Sequence, residues 1–124
     1  MEVEKIEMVC IAVNELDEAV QFYGRLLDTR FEIRETPIKE GVVRWGIAPF
    51  GLELLERPVK GPESDTVRSF HLRVPDVKSA REEMKSKGFN PFEQFTAGQL
   101  RELVYHIRGL RIIFVDHKGE ARQD

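Results

Sequence analysis

Cysteine is almost missing from this sequence. The lone Cys10 excludes an intrachain disulfide and cannot build a multi-cysteine zinc site, which suits a reducing compartment. No apolar stretch approaches the roughly 20 residues that cross a bilayer, so no membrane partner is expected. The opening MEVEKIEMVCIAV has no basic start, no apolar core and no small-residue cleavage site, and the expectation is a cytoplasmic protein. An excess of basic charge is missing too. The 19 Lys and Arg are scattered among 22 Asp and Glu, leaving a net charge of −3. A nucleic-acid binder needs a basic face, so that class of partner is excluded. The motifs G-x-x-x-x-G-K-[ST], G-x-G-x-x-G, G-x-S-x-G, H-E-x-x-H and C-x-x-C do not occur, which removes the common phosphate-loop, dinucleotide, serine-hydrolase and metallopeptidase readings.

What is present describes an ordinary globular chain. Its 124 residues fit one domain with a self-sufficient core. Residues 5–13, KIEMVCIAV, form an apolar, β-branched run expected to be a strand. Asn14 offers a helix N-cap with Asp17 three residues on, and the spacing of Leu16, Ala19, Val20, Tyr23, Leu26 and Leu27 predicts a helix over 15–27. Strands are expected at 30–35, 41–48 and 51–56, the last two separated by the turn Pro49-Phe50-Gly51. The Pro-, Gly- and charge-rich stretch at about 58–66 is expected to be a linker.

The second half repeats the order. A strand at 67–74, a cap at Asp76 and a helix at 77–87 ended by Gly88 precede strands near 90–95, 100–107 and 110–116. IAVNELDEA (11–19) aligns with LRVPDVKSA (72–80), pairing Ile11 with Leu72, Val13 with Val74, Leu16 with Val77 and Ala19 with Ala80. An internal duplication of order β-α-β-β-β is the main organisational signal, with module one at about 1–57, module two at about 67–117 and a polar tail at 118–124.

The stretch KIEMVCIAVNELDEAVQFYGRLLDTRFEI resembles the opening of glyoxalase-type domains, which run from an apolar strand through V-x-D-L to a helix ending F-Y-x-x-L-L-G. FHLRVPDVKSAREEMKSKGF is similar to their second-module opening and RGLRIIFVD to their closing strand. The usual Gly after the first helix is Asp28 here, a residue type that also tolerates the left-handed conformation. The resemblance is to the vicinal-oxygen-chelate superfamily (glyoxalase, bleomycin-resistance and extradiol dioxygenase proteins). It implies an α+β fold in which two βαβββ modules form an open, curved eight-stranded sheet with helices outside. It further implies a homodimer and a small-molecule ligand in a central cleft, with lyases, isomerases, dioxygenases and plain drug-binding proteins all represented.

Family metalloenzymes hold one divalent ion through the first and last strands of each module. Carried onto this chain, those positions fall on Met8, Glu53, Ser69 and Ile113, of which only Glu53 suits a metal. A two-residue slip, which keeps the strand face, would offer Cys10, His71 and Arg111 instead. No metal or other cofactor is therefore expected, with a divalent metal as the alternative.

Glu53 and His71 are the candidate catalytic pair, and Trp45, Arg73, Tyr105 and Arg111 the candidate ligand-binding residues. Histidine as a residue type suits proton transfer near neutral pH, which makes His71 a candidate, against the plainer reading of a satisfied strand histidine. Glu53 lies amid leucines, with Arg44, Arg73 or Arg111 as structural salt-bridge partners in the plainer reading. Trp45 and Tyr105 could stack on a ligand or simply fill the core. His106 and His117 are expected at the surface, and Cys10 as a small buried hydrophobe. The expectation is a metal-free ligand-binding protein of the glyoxalase/bleomycin-resistance kind. The alternatives are a lyase, isomerase or dioxygenase using Glu53 and His71, or an interaction module whose cup is filled by Met8, Trp45 and Ile113.

Overall fold

A computed structural model describes residues 1–119; the remainder of the polar tail lies outside the described residues. Ten elements follow in order: β1 (Lys5–Val13), α1 (Leu16–Leu27), β2 (Glu32–Ile38), β3 (Gly41–Ile47), β4 (Leu52–Glu56), β5 (Thr66–Arg73), α2 (Val77–Ser86), β6 (Glu93–Ala97), β7 (Leu100–Ile107) and β8 (Leu110–Asp116). They are β-α-β-β-β twice over. The chain divides into two compact units, one from Met8 to Arg68, the other joining Met1–Glu7 to Ser69 onward. The first seven residues thus belong with the second repeat, where the Glu4 amide donates to the Arg73 carbonyl at 2.8 Å.

In the first unit the strands run β2-β3-β4-β1. β1 and β4 are parallel, pairing Cys10 with Glu53, Ile11 with Leu54 and Val13 with Glu56. β3 is antiparallel to both β4 and β2. Helix α1 covers one face through Leu16, Ala19, Val20 and Tyr23, which cluster with Val13, Leu54, Ile11 and Phe31. The approach is close enough that a Cβ on Gly46 would stand 2.9 Å from Val20 Cγ1, so only glycine fits there. β2 runs past Glu35 to include Pro37, because β2 is the edge strand and a missing amide costs nothing on its open side. Leu26 and Leu27, expected inward, are exposed at the far end of α1.

The second unit repeats the plan with strand order β5-β8-β7-β6 and a parallel β5–β8 pair that sets His71 beside Ile113. Helix α2 packs Val77, Ala80 and Met84 onto Leu103, Tyr105, Phe114 and Val74.

The helix ends separate what local sequence dictates from what it does not. Asp28 closes α1 at φ 51°, ψ 48°, the left-handed turn its residue type allows. Asp76 caps α2 as expected, accepting from the Lys78 amide at 2.8 Å. Asn14, however, does not cap α1. The Leu16 amide donates instead to Glu56 Oε1 at 3.1 Å, from the end of β4. Module two has the matching device, the Val77 amide donating to Asp116 Oδ2 at 2.7 Å from the end of β8. In each repeat the last strand thus caps the helix that follows the first.

Freed from capping, Asn14 holds the 57–66 segment. Its Oδ1 accepts from the Gly61 amide at 2.8 Å and from Arg57 Nη1 at 3.0 Å, and its Nδ2 donates to the Pro62 carbonyl at 2.9 Å. Arg57 also reaches Thr66 Oγ1 at 2.7 Å. Tyr23 donates to Asp65 at 2.5 Å, and this bond, reinforced by burial and by the Asp65 charge, pushes the phenol up to about 12. The expected linker is therefore a strap fastened to α1 and β1 by side-chain hydrogen bonds.

Candidate functional site

Strand alternation sorts each module into a helix-covered face and a helix-free face. In module one, Ile11, Val13 and Leu54 lie under α1, so their neighbours Cys10, Ala12, Glu53 and Leu55 project the other way. Trp45 pairs with Leu55 and Ile47 with Glu53, which puts both on that same helix-free face. Glu53 is half-buried there and stands level with buried Cys10.

The arginines weighed as salt-bridge partners of Glu53 each meet other carboxylates. Arg44, on the helix side, meets Asp17 at 3.1 Å, Glu35 at 3.0 Å and Glu56 at 3.7 Å. Arg73 meets Glu7 at 3.8 Å, and Arg111 meets Glu93 at 3.7 Å.

In module two the helix-free face carries Ser69, His71 and Arg73 from β5, Arg111, Ile113 and Val115 from β8, and Glu102, Val104 and His106 from β7. Val104, Ile113 and Val115 form a buried apolar cluster with Leu100. Against it lies a polar pair that the sequence reading did not anticipate. His71 Nδ1 is 3.3 Å from Glu102 Oε1, with the two side chains only 13% and 10% exposed. The contact spans β8, from β5 to β7. Glu102 escaped notice because β7 reads R-E-L-V-Y, where a carboxylate carries no motif and its partner is 31 positions away.

At one end of this face His106 stacks on Phe92, ring centroids 4.1 Å apart, and its Nε2 lies 3.1 Å from Arg111 Nη1. His106 is exposed as expected, but held. Phe95, from the edge strand β6, pairs with Glu102 and is exposed.

Tyr105 requires a correction. As a candidate ligand-binding residue it does not stand, and the alternative of core filling does: it lies on the helix-covered face, 1% exposed, in edge-to-face contact with Phe114 at 5.7 Å. It pairs with Ile112, and that alternation turns it away from His71. Its hydroxyl is buried without a hydrogen-bond partner among the described residues, and burial raises its pKa above the ordinary phenol value.

The donor set does not fit a divalent metal. Met8 offers a soft thioether, Ser69 a neutral hydroxyl and Ile113 nothing, which leaves Glu53 as the one anionic oxygen donor. Shifting by two residues brings in His71 but also the Arg111 cation. Among the described residues no three His, Cys, Asp or Glu side chains converge. No helix there is long and apolar enough to cross a membrane.

The family model for the Glyoxalase/Bleomycin resistance protein/Dioxygenase superfamily matches residues 5–120. The chain belongs to that superfamily. Solved structures agree on the fold, the α+β arrangement of two βαβββ modules. One is a Streptomyces coelicolor methylmalonyl-CoA epimerase in complex with 2-nitronate-propionyl-CoA, 18% identical at a TM-score of 0.72 over 98% of this chain and 100% of that one. The Mycobacterium tuberculosis methylmalonyl-CoA epimerase is 17% identical at 0.69, over 98% and 90%. A 4-hydroxymandelate synthase variant from Streptomyces coelicolor is 13% identical at 0.78, over 97% of this chain and 50% of that one. No curated protein sequence matches.

Proposed function

We propose that the protein is an enzyme of the proton-transfer type, acting on a small oxygenated carbon acid with His71 as the acid–base group. The observation that carries this reading is the position of His71. An imidazole stands on a helix-free strand face beside the apolar cluster of Ile113, Val104 and Val115. An apolar wall with a few convergent polar groups is the usual character of a small-molecule site. Imidazole has an ordinary pKa near 6.5, which suits taking and returning a proton at neutral pH. Arg73, on the same strand face two residues along, supplies a cation for the oxyanion that forms when a proton leaves carbon next to a carbonyl. Glu53 is assigned as a second acid–base group on the helix-free face of module one, at the position equivalent to Ile113 in the repeat.

Two of the matched structures are epimerases of a CoA ester, and epimerisation next to a carbonyl requires this kind of proton movement. Their low identity makes them a choice of probe and no more. The test is hydrogen–deuterium exchange at the carbon beside the carbonyl, followed by proton NMR in heavy water. The probes are methylmalonyl-CoA, pyruvate and phenylpyruvate. Wild-type protein is expected to exchange at least one of these, and His71→Ala to slow it by about a hundredfold or more. Glu53→Gln should slow it by roughly tenfold or more. Exchange in His71→Ala at the wild-type rate would overturn the assignment.

The second reading is ligand binding without turnover, favoured by the apolar cluster of Val104, Ile113 and Val115 beside His71. Saturable binding of a probe, with no exchange in any of them, would select it.

A further inference from the structure

We infer that Glu102 is a positioning residue that fixes the tautomer of His71, with Nδ1 carrying the proton and Nε2 left as the working nitrogen. The argument starts from burial. Glu102 is 8% exposed and sits on β7 between apolar neighbours on its own face, Leu100 and Val104. A carboxylate in such a place is costly unless a donor meets it. The nearest is His71 Nδ1 at 3.3 Å. That separation lies just beyond the usual N–H···O range, within ion-pair distance, and acid–base contacts of this kind commonly tighten only when substrate binds.

A carboxylate facing Nδ1 can only accept, so the neutral ring must place its single proton there. Free neutral imidazole side chains favour the proton on Nε2, and the contact therefore inverts the default. In the inverted tautomer Nε2 presents a lone pair. The group that faces Glu102 from β6 is Phe95, which competes for no proton. Arg73 and Val115 complete its surroundings on the same face, and Arg73 also lies 3.8 Å from Glu7. The consequence for catalysis rests on the proposed function. The tautomer itself does not.

The test reads nitrogen directly. Long-range proton–nitrogen correlation spectra of uniformly labelled protein, at about pH 8.5 where imidazole is neutral, report which ring nitrogen carries hydrogen. Wild-type His71 is expected as the Nδ1–H form. Glu102→Leu removes the acceptor while filling the space, and His71 should revert to the Nε2–H form. Glu102→Gln keeps an acceptor oxygen and is expected to retain the wild-type form at least in part. A wild-type His71 already in the Nε2–H form would overturn the inference without any variant being made. So would an unchanged tautomer in Glu102→Leu. If the tautomer inverts as expected while no probe exchanges, Glu102 keeps its role and the proton-transfer reading fails. If exchange occurs, Glu102→Leu should lower kcat by tenfold or more with a smaller effect on KM.

Discussion

The two modules share a plan and differ in what they do with it. Each hangs its helix from the last strand of its own repeat, through Glu56 to the Leu16 amide and through Asp116 to the Val77 amide. Each buries an aliphatic stripe of that helix against the same face of its sheet. On the other face they part. Module one presents Cys10, Glu53 and Trp45, whereas module two presents His71, Glu102, Arg111 and an apolar patch. The cap recurs in both halves, whereas the polar residues of the helix-free faces differ, and those differences are the place to look for chemistry.

The shared cap is also the first place to break the comparison. Asp116 is 2% exposed and accepts both nitrogens of an Arg101 fork, at 2.7 and 2.5 Å, besides the Val77 and Lys118 amides. Glu56 is a quarter exposed and makes a looser contact with Arg44 at 3.7 Å. Asp116→Ala should therefore destabilise by about 2–4 kcal/mol, below the fully buried ion-pair range because Arg101 retains some solvent contact. Glu56→Ala should cost about 1 kcal/mol, the ordinary loss of a cap. Urea unfolding of both variants measures the gap, and equal losses would mean the two devices are energetically the same.

The pH dependence should follow the stronger cap. Burial alone would raise the Asp116 carboxyl, but the Arg101 guanidinium and the two amides outweigh it and hold it below the usual carboxylate range. A depressed folded-state value contributes stability that is fully present above the unfolded value of about 3.9 and is lost as pH falls through the folded value. Wild-type melting temperature should fall across that acid range more steeply than that of Asp116→Asn. Parallel acid limbs would show that Asp116 is not the group responsible.

A smaller effect is expected at the strap, which Asn14 and Tyr23 of module one fasten. Asn14→Ala removes four hydrogen bonds, one of them long at 3.5 Å, and should cost about 1–2 kcal/mol. Amide exchange should rise at Gly61 and leave α2 unchanged, whereas unaltered exchange at Gly61 would show that the strap is held by other means.

The smallest change has the opposite sign. Tyr105→Phe deletes a buried hydroxyl that has no partner among the described residues, so stability should stay level or rise by up to about 1 kcal/mol. A clear loss in thermal denaturation would reveal a bond that the Tyr105 environment does not display.

Much of the architecture is legible from one sequence because it is written in local terms. Apolar runs of period two and helices of period 3.6 recur at the same offsets in both halves, and Asp28 and Asp76 mark helix ends by residue type alone. Asn14 misleads for a reason that is also local. Its type suits a cap, but a carboxylate from β4, 40 positions away, reaches the Leu16 amide instead. No local rule can decide between a nearby amide and a distant carboxylate.

The sequence by itself determined the repeat, the class of fold, the poor fit of the family's metal positions, and Glu53 and His71 as residues to examine. Tertiary structure alone decided that Tyr105 turns inward beneath α2 and that Glu102 stands against His71. Both outcomes depend on strand register, since a shift of one residue moves a side chain to the opposite face of a sheet. Register is set by pairing between segments far apart in the chain. For Glu102 and His71 those segments are separated by a helix and the whole of β6, and the two side chains meet only across β8.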